Sequence, residues 1–288
     1  MQLDQLVSLS VSLLSNIALL IIISLGLAVI FGMMGVINLA HGEFLMLGAY
    51  LTLTAVRVGV NVWVAMLLAA FGVGAVGLLV ERLLIRRLYG RMPATMLATW
   101  GLSLILTQVM VLIYGPASRG IPTPLGSVRV GEYSISEYSL ALIIAAVAML
   151  ALTYLVLTRT RYGTMARAAA TLPQMASAVG VDVRRTNMLT FGFGAMLSGA
   201  GGALLAPMTA VVPSMGQAYV GRAFMTVVVG GPGVLSGTVS ASGLLGGVNS
   251  VLSNLTTSVL GTAALLVVAI VLLRFLPTGI SGRRGRRT

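Results

Sequence analysis

An all-α membrane protein, a polytopic bundle of transmembrane helices, is the fold this sequence predicts. Of its residues 58% are hydrophobic and 8% charged, with a mean hydropathy of +1.03, whereas an ordinary soluble domain carries about 25% charged residues. Apolar runs of about 20 residues, enough for a helix to cross a hydrocarbon core of roughly 30 Å, recur along the whole chain. The alternating segments of roughly ten residues that would mark a membrane β-barrel are absent.

In chain order, hydrophobic spans are expected at 10–31, 33–56, 61–81, 94–114, 138–158, 187–206, 222–253 and 258–276, about 8 to 9 crossings with at least one broken helix. The N-terminal MQLDQLVSLSVSLLSN lacks the positive start of a secretory signal, and the apolar stretch after it is too long for a signal core, so it reads as a retained first span. The second span carries His41, the only histidine, and Glu43. With a start near residue 33 both fall close to its middle, and two positions apart they do not share a helix face. A charge there is costly and marks function by default, so the pair is either a buried polar tie between helices or part of a translocation path or gate. The third span ends in Glu81 beside Arg82, read as a topological or salt-bridging pair. The seventh run is too long for one simple helix and is interrupted by GGPG at 230–233. Pro232 removes a backbone donor there, which implies unwound chain inside protein or beside water.

The net charge of +12 comes from arginine, since the chain has no lysine. The arginines cluster at 82–91, 159–185 and 283–287, between and after hydrophobic spans, which places these regions in the cytoplasm by the positive-inside rule and argues against a nucleic-acid face. The loop at 115–137 mixes Arg119 and Arg129 with Glu132 and Glu137 and fits the outside. An external N-terminus and an internal C-terminus follow, hence an odd number of crossings, nine if the seventh run splits. Many of the 35 glycines fall within spans, where small residues let helices approach closely.

With no cysteine and one histidine, disulfides and the common metal sites are excluded, and no metal or cofactor is expected in this chain. No GxSxG, HExxH or GxxxxGK[ST] motif is present, so no nucleotide-hydrolysing site of its own is expected. The whole chain, 1–288, is expected to form a single transmembrane domain with a structured cytoplasmic loop at 159–186. In that loop the Ala and Met content predicts one short helix around 163–171 and a second beginning at Pro173 and ending at Gly180. Met175, Ala176 and Val179 would form its apolar face, to be buried on the chain's own bundle or on another subunit.

The segment QMASAVG at 174–180 resembles the coupling-loop signature E-A-A-x-x-x-G of ABC-importer permeases. Gln174, Met175 and Ala176 stand in place of Glu-Ala-Ala, and Gly180 matches the glycine. GLAVIFGMMGVINLAHGEFLMLGAY at 26–50, RYGTMARAAATLPQMASAVGVD at 161–182, FMTVVVGGPGVLSGTV at 224–239 and RFLPTGI at 274–280 resemble, in the same order, the branched-chain amino-acid permeases, the LivH/LivM family, which includes urea and short-amide permeases. Within the family, PSMGQAYVGRAFMTVVVGG at 213–231 and FGMMGVINLAHGE at 31–43 look closer to the urea permease UrtB.

The resemblance implies a permease subunit of an ABC importer in the bacterial inner membrane. Its partners would be a second LivM-like permease, two cytoplasmic ATPases that hold ATP and Mg, and a periplasmic or lipid-anchored binding protein. Gln174, Met175, Ala176 and Gly180 would couple to the ATPase, with Arg184 and Arg185 as contacts or membrane-surface anchors. Uncharged polar residues in the spans suit a neutral solute such as urea or a short amide, with a branched-chain amino acid as the alternative. Candidates for the substrate path are Asn38, His41, Glu43, Gln108, Gln217 and Thr226, with Thr107 and Asn249 as further polar positions. An ATP-independent transporter or channel and a membrane-embedded enzyme are the readings from other classes.

Overall fold

The computed structural model describes residues 3–130 and 133–282. The helices are α1 (Leu3–Met34), α2 (His41–Arg57), α3 (Val62–Leu83), α4 (Met92–Tyr114), α5 (Glu137–Arg159), α6 (Arg161–Thr171), α7 (Pro173–Ala178), α8 (Val183–Leu205), α9 (Met215–Gly230), α10 (Val234–Leu255), α11 (Ser258–Phe275) and α12 (Gly279–Gly282), with a short 3-10 helix at Ile85–Leu88. The all-α expectation meets one exception. In the loop after α4, β1 (Ser127–Val130) and β2 (Tyr133–Ser136) pair antiparallel, Ser127 opposite Ser136 and Val130 opposite Tyr133.

Among the described residues, six helical stretches are long and apolar enough to cross a membrane: Leu9–Met34, Val62–Leu83, Met92–Tyr114, Glu137–Arg159, Val183–Leu205 and Ser258–Gly282. The α9–α10 pair, bent by 116°, makes a seventh if taken as one broken span. That is fewer than the 8 to 9 expected. The difference lies in the second and seventh runs: the run at 33–56 yields α2, a helix of 17 residues, and the seventh is split at 231–233 into α9 and α10. The arginine tail at 283–287 and Glu132 lie outside the described residues.

The described residues divide into two compact units, one from 25–122 and 151–221, the other from 3–24, 123–150 and 222–282. In the first unit α8 is the central element, and glycines set its contacts. Gly48 of α2 lies on the Gly199 backbone, Gly202 lies on the carbonyl of Leu45, and Gly77 of α3 lies on Ala195. A Cβ at Gly202 would overlap the Leu45 carbonyl, so the helices meet backbone to backbone. In lipid, where no water is expelled between helices, such close van der Waals contact is what holds a bundle together. Ile30, Val36, Phe44, Val73, Ile85, Phe191 and Ala195 form the apolar core beside this seam. Phe44 and Phe191 meet edge to face, their centroids 5.9 Å apart, the arrangement aromatic quadrupoles favour.

In the second unit the GGPG break is held by α12. Ser281 Oγ donates to the Gly230 carbonyl at 2.6 Å and accepts from the Gly233 N–H at 2.9 Å. One hydroxyl thus satisfies backbone groups on both sides of a helix interruption, which apolar surroundings would otherwise leave costly.

Candidate functional site

The first cluster is the start of α2. Gly35, at φ +62°, ends α1, and its N–H donates to the Phe31 carbonyl at 2.9 Å. The buried Asn38 then directs the backbone: its Oδ1 accepts from Ala40 N at 3.1 Å and its carbonyl from His41 N at 3.3 Å. Leu39 N donates to Thr99 Oγ1 at 3.1 Å. An asparagine that bonds its own backbone two residues on competes with helix formation. The helix therefore restarts at His41. This corrects the expectation of a continuous helix from residue 33: His41 and Glu43 lie in the first turn of α2, not at its middle.

Their level in the unit is nonetheless deep. Glu43 is 2% exposed and faces the hydroxyls of Ser103 and Thr107 on α4. Counting from Met92, Ser103 is the twelfth of the 23 residues of that helix. His41 is fully buried, with Nδ1 3.1 Å from Ser198 Oγ. Ser198 gives its own proton to the Gly194 carbonyl at 2.9 Å. The serine hydroxyl thus links His41 of α2 to the backbone of α8. No arginine pairs with Glu43 among the described residues, where Arg86 and Glu81 form the ion pair found. The Asn38 Nδ2 and Thr107 Oγ1 atoms are buried and make no well-formed hydrogen bond.

Ser103 belongs to a row that sequence reasoning missed. Thr95, Thr99, Ser103 and Thr107 follow one another at four-residue spacing, which keeps them on one side of α4. Thr95 bonds the backbone at Leu88 and Arg91, Thr99 meets Leu39, and Ser103 and Thr107 meet Glu43. The row climbs from the arginine-bearing end of the helix to the buried carboxylate. Its spacing was the signal, hidden because hydroxyls bonded to their own helix are common in apolar spans.

The second cluster is an arm of two helices between α5 and α8. Thr160 caps α6, its Oγ1 accepting from Gly163 N at 3.0 Å. Pro173 opens α7. At its end Val181 N donates to the Ala176 carbonyl (3.0 Å) and Gly180 N to the Ser177 carbonyl (3.1 Å), with Gly180 at φ +89°. That pair of bonds is a Schellman termination, which calls for a glycine in the left-handed region. Asp182 then caps α8 by accepting from Arg185 N at 3.0 Å.

The arm divides its apolar residues. Ala176 is buried, whereas Leu172, Met175 and Val179 are 59%, 66% and 81% exposed. Met175 lies within α7, and Leu172 and Val179 flank it at its two caps. The expected face of Met175, Ala176 and Val179 is thus split, and Leu172, overlooked in the sequence, joins the exposed part. Gln174, Arg184 and Arg185 are also exposed. A cavity of about 450 Å³ separates the arm from the end of α1, lined by Met34, Gly35, Tyr89, Ala170, Pro173 and Asn187 among others. Tyr162 anchors the arm by donating to Thr190 Oγ1 of α8 at 2.8 Å, and burial pushes its phenol up to about 12.

Other expected positions are dispersed. Gln108 and Gln217 are exposed, and Thr226, buried in the second unit, donates to the Arg222 carbonyl of its own helix at 2.8 Å. Asn249 accepts from Ser253 at 3.2 Å. The carboxylate of Glu81 pairs with Arg86 at 3.1 Å rather than with Arg82, and accepts from Tyr89 at 2.6 Å. Arg86 lies beyond the end of α3, where the 3-10 helix turns it back onto the buried carboxylate. Burial, reinforced by Glu81, pushes the Tyr89 phenol well above its ordinary range and keeps it a donor.

Comparison with known proteins gives a consistent picture. The profile of the family described as branched-chain amino acid transport system / permease component matches residues 9–276. The chain is 30% identical over 283 residues to the high-affinity branched-chain amino acid transport system permease protein BraD of Pseudomonas aeruginosa, covering 91% of each chain. It is 31% identical to LivH of Escherichia coli K12, with 91% of each chain covered. The probable LivH of Methanocaldococcus jannaschii is 28% identical, over 92% of this chain and 89% of that one. No solved structure matches. With its long apolar helices and these relatives, the chain is an integral membrane protein.

Proposed function

Since the chain belongs to the branched-chain amino acid transport permease family, we propose that it is the transmembrane subunit of an ABC importer that moves a branched-chain amino acid across the bacterial inner membrane. The single observation that best supports this reading is the α6–α7 arm, which presents Leu172, Met175 and Val179 to solvent on a helix ended by Gly180. Exposed apolar side chains grouped in this way mark a surface for a partner. The partner is a cytoplasmic ATPase, one of two, which bind ATP and Mg²⁺ and push on the arm when they close. Gln174, Met175, Ala176 and Gly180 form the coupling element, and Arg184 and Arg185 flank it. A second, LivM-like permease and a periplasmic or lipid-anchored binding protein complete the importer.

The choice of solute departs from the urea or short-amide expectation. The relatives named above are branched-chain amino acid permeases by name, and the likeness to UrtB gains no support from them. The structural reason for reversing the preference is Glu43. The neutral-solute expectation rests on the scarcity of ionisable groups in the spans, but Glu43 is one of them, and its burial at the level of the middle of α4 suits an ammonium group. Uptake of labelled leucine by cells carrying the complete importer, with unlabelled leucine, urea and acetamide as competitors, tests this. Competition by leucine alone is expected; competition by urea or acetamide and not by leucine would refute the amino-acid reading.

A further inference from the structure

We propose that Glu43, Ser103 and Thr107 form a cradle at mid-membrane depth that accepts the N–H groups of the passing solute, while the Asn38 Nδ2 donates to its oxygen. The inference rests on the importer reading above and adds to it the chemistry of recognition. A buried carboxylate at this depth is costly unless something satisfies it. Its two oxygens offer about four lone-pair sites, and the hydroxyls of Ser103 and Thr107 with the Glu43 backbone N–H can fill at most three. Arginine pairing, which satisfies Glu81 at 3.1 Å, is absent at Glu43 among the described residues. What remains is acceptor capacity, the complement of an ammonium or amide nitrogen.

The second, independent observation is the Asn38 amide. Its Oδ1 is engaged by Ala40 N, but Nδ2 is buried without a partner. That leaves unused N–H donors at the same helix start as the acceptor-rich carboxylate. A solute bearing both N–H and a carbonyl or carboxylate oxygen fits this pairing; a hydrocarbon or a bare anion does not. The backbone supports the assignment, because α2 begins abruptly between buried neighbours, and interrupted helices near the midplane are where transporters build solute sites. Gly42 lies against the Gly216 backbone and Gly48 against Gly199, so the start of α2 is held in place by close packing. The nitrogen could be the ammonium of an amino acid or the NH₂ of an amide, and both place N–H donors on the carboxylate.

The test is Glu43→Gln in the complete importer, reconstituted in proteoliposomes with saturating binding protein. Leucine uptake should fall at least tenfold, with complex yield and unfolding temperature matching wild type. Ser103→Ala combined with Thr107→Val should lower uptake by a smaller factor. An arm with labelled acetamide separates the two nitrogen sources: a loss for leucine alone identifies an ammonium seat, and a loss for both a general N–H cradle. Wild-type uptake of both solutes by Glu43→Gln overturns the proposal. So does a fall in uptake matched by a fall in complex yield, the signature of a purely structural carboxyl. If the wild-type importer takes up acetamide and not leucine, the branched-chain reading fails and the acetamide arm alone decides the cradle; if it takes up neither, both fail.

Discussion

The start of α2 and the α6–α7 arm invert the usual partition of side chains in opposite senses. At the first, Asn38, His41 and Glu43 are polar groups buried at the level of the middle of neighbouring spans. At the second, Leu172, Met175 and Val179 are apolar groups left in solvent on and at the two ends of a helix of six residues. Each arrangement costs free energy in the isolated chain, one through desolvated polar atoms and the other through hydrated hydrocarbon. The difference shows what each lacks: the first has spare hydrogen-bonding capacity, which suits a small polar solute, and the second has spare apolar area, which suits a protein surface.

The largest effect is expected from removing the scaffold on which the buried cluster depends. Gly202→Val would drive a side chain into the Leu45 carbonyl on α2, and folded protein should be nearly absent from detergent extracts. The arm should behave differently. Replacing Leu172, Met175 and Val179 together by serine should leave the chain folded and monodisperse, yet abolish co-purification of the ATPase subunits. Gly180→Arg, at φ +89°, should strain the turn by about 1–2 kcal/mol and uncouple ATP hydrolysis from uptake without preventing assembly. Asn38→Ala removes the acceptor for Ala40 N and should cost about 0.5–2 kcal/mol of stability, on the scale of other helix-start bonds, read as a lower unfolding temperature. The smallest change is expected from Tyr162→Phe, which deletes one hydrogen bond to Thr190 worth about 1 kcal/mol; a small fall in unfolding temperature with unchanged uptake checks it.

The two regions also differed in how far the sequence exposed them. The arm was legible because its determinants are local: Pro173 opens a helix, Gly180 closes one, and the alanines between prefer it. Both short helices appear near the expected positions, at Arg161–Thr171 and Pro173–Ala178. The start of α2 was not legible, since hydropathy alone reads GVINLA as continuing span. What breaks the helix there is a side-chain bond from Asn38 to Ala40 N and a tertiary bond from Thr99 to Leu39 N. Hydropathy is blind to the first, and the second depends on a residue 60 positions away. Glu81 failed in the same way, its partner lying five residues on, around a 3-10 turn, rather than next door.

The claim at the centre is that this chain carries the path for the solute while other subunits supply the energy. Purified chain in liposomes, alone and then with the second permease, both ATPases, binding protein and MgATP, tests it directly by uptake of labelled leucine. No uptake by the chain alone and ATP-dependent accumulation by the complete set is the predicted result. Uptake by the chain alone, unchanged when the ATPases and MgATP are added, would contradict it.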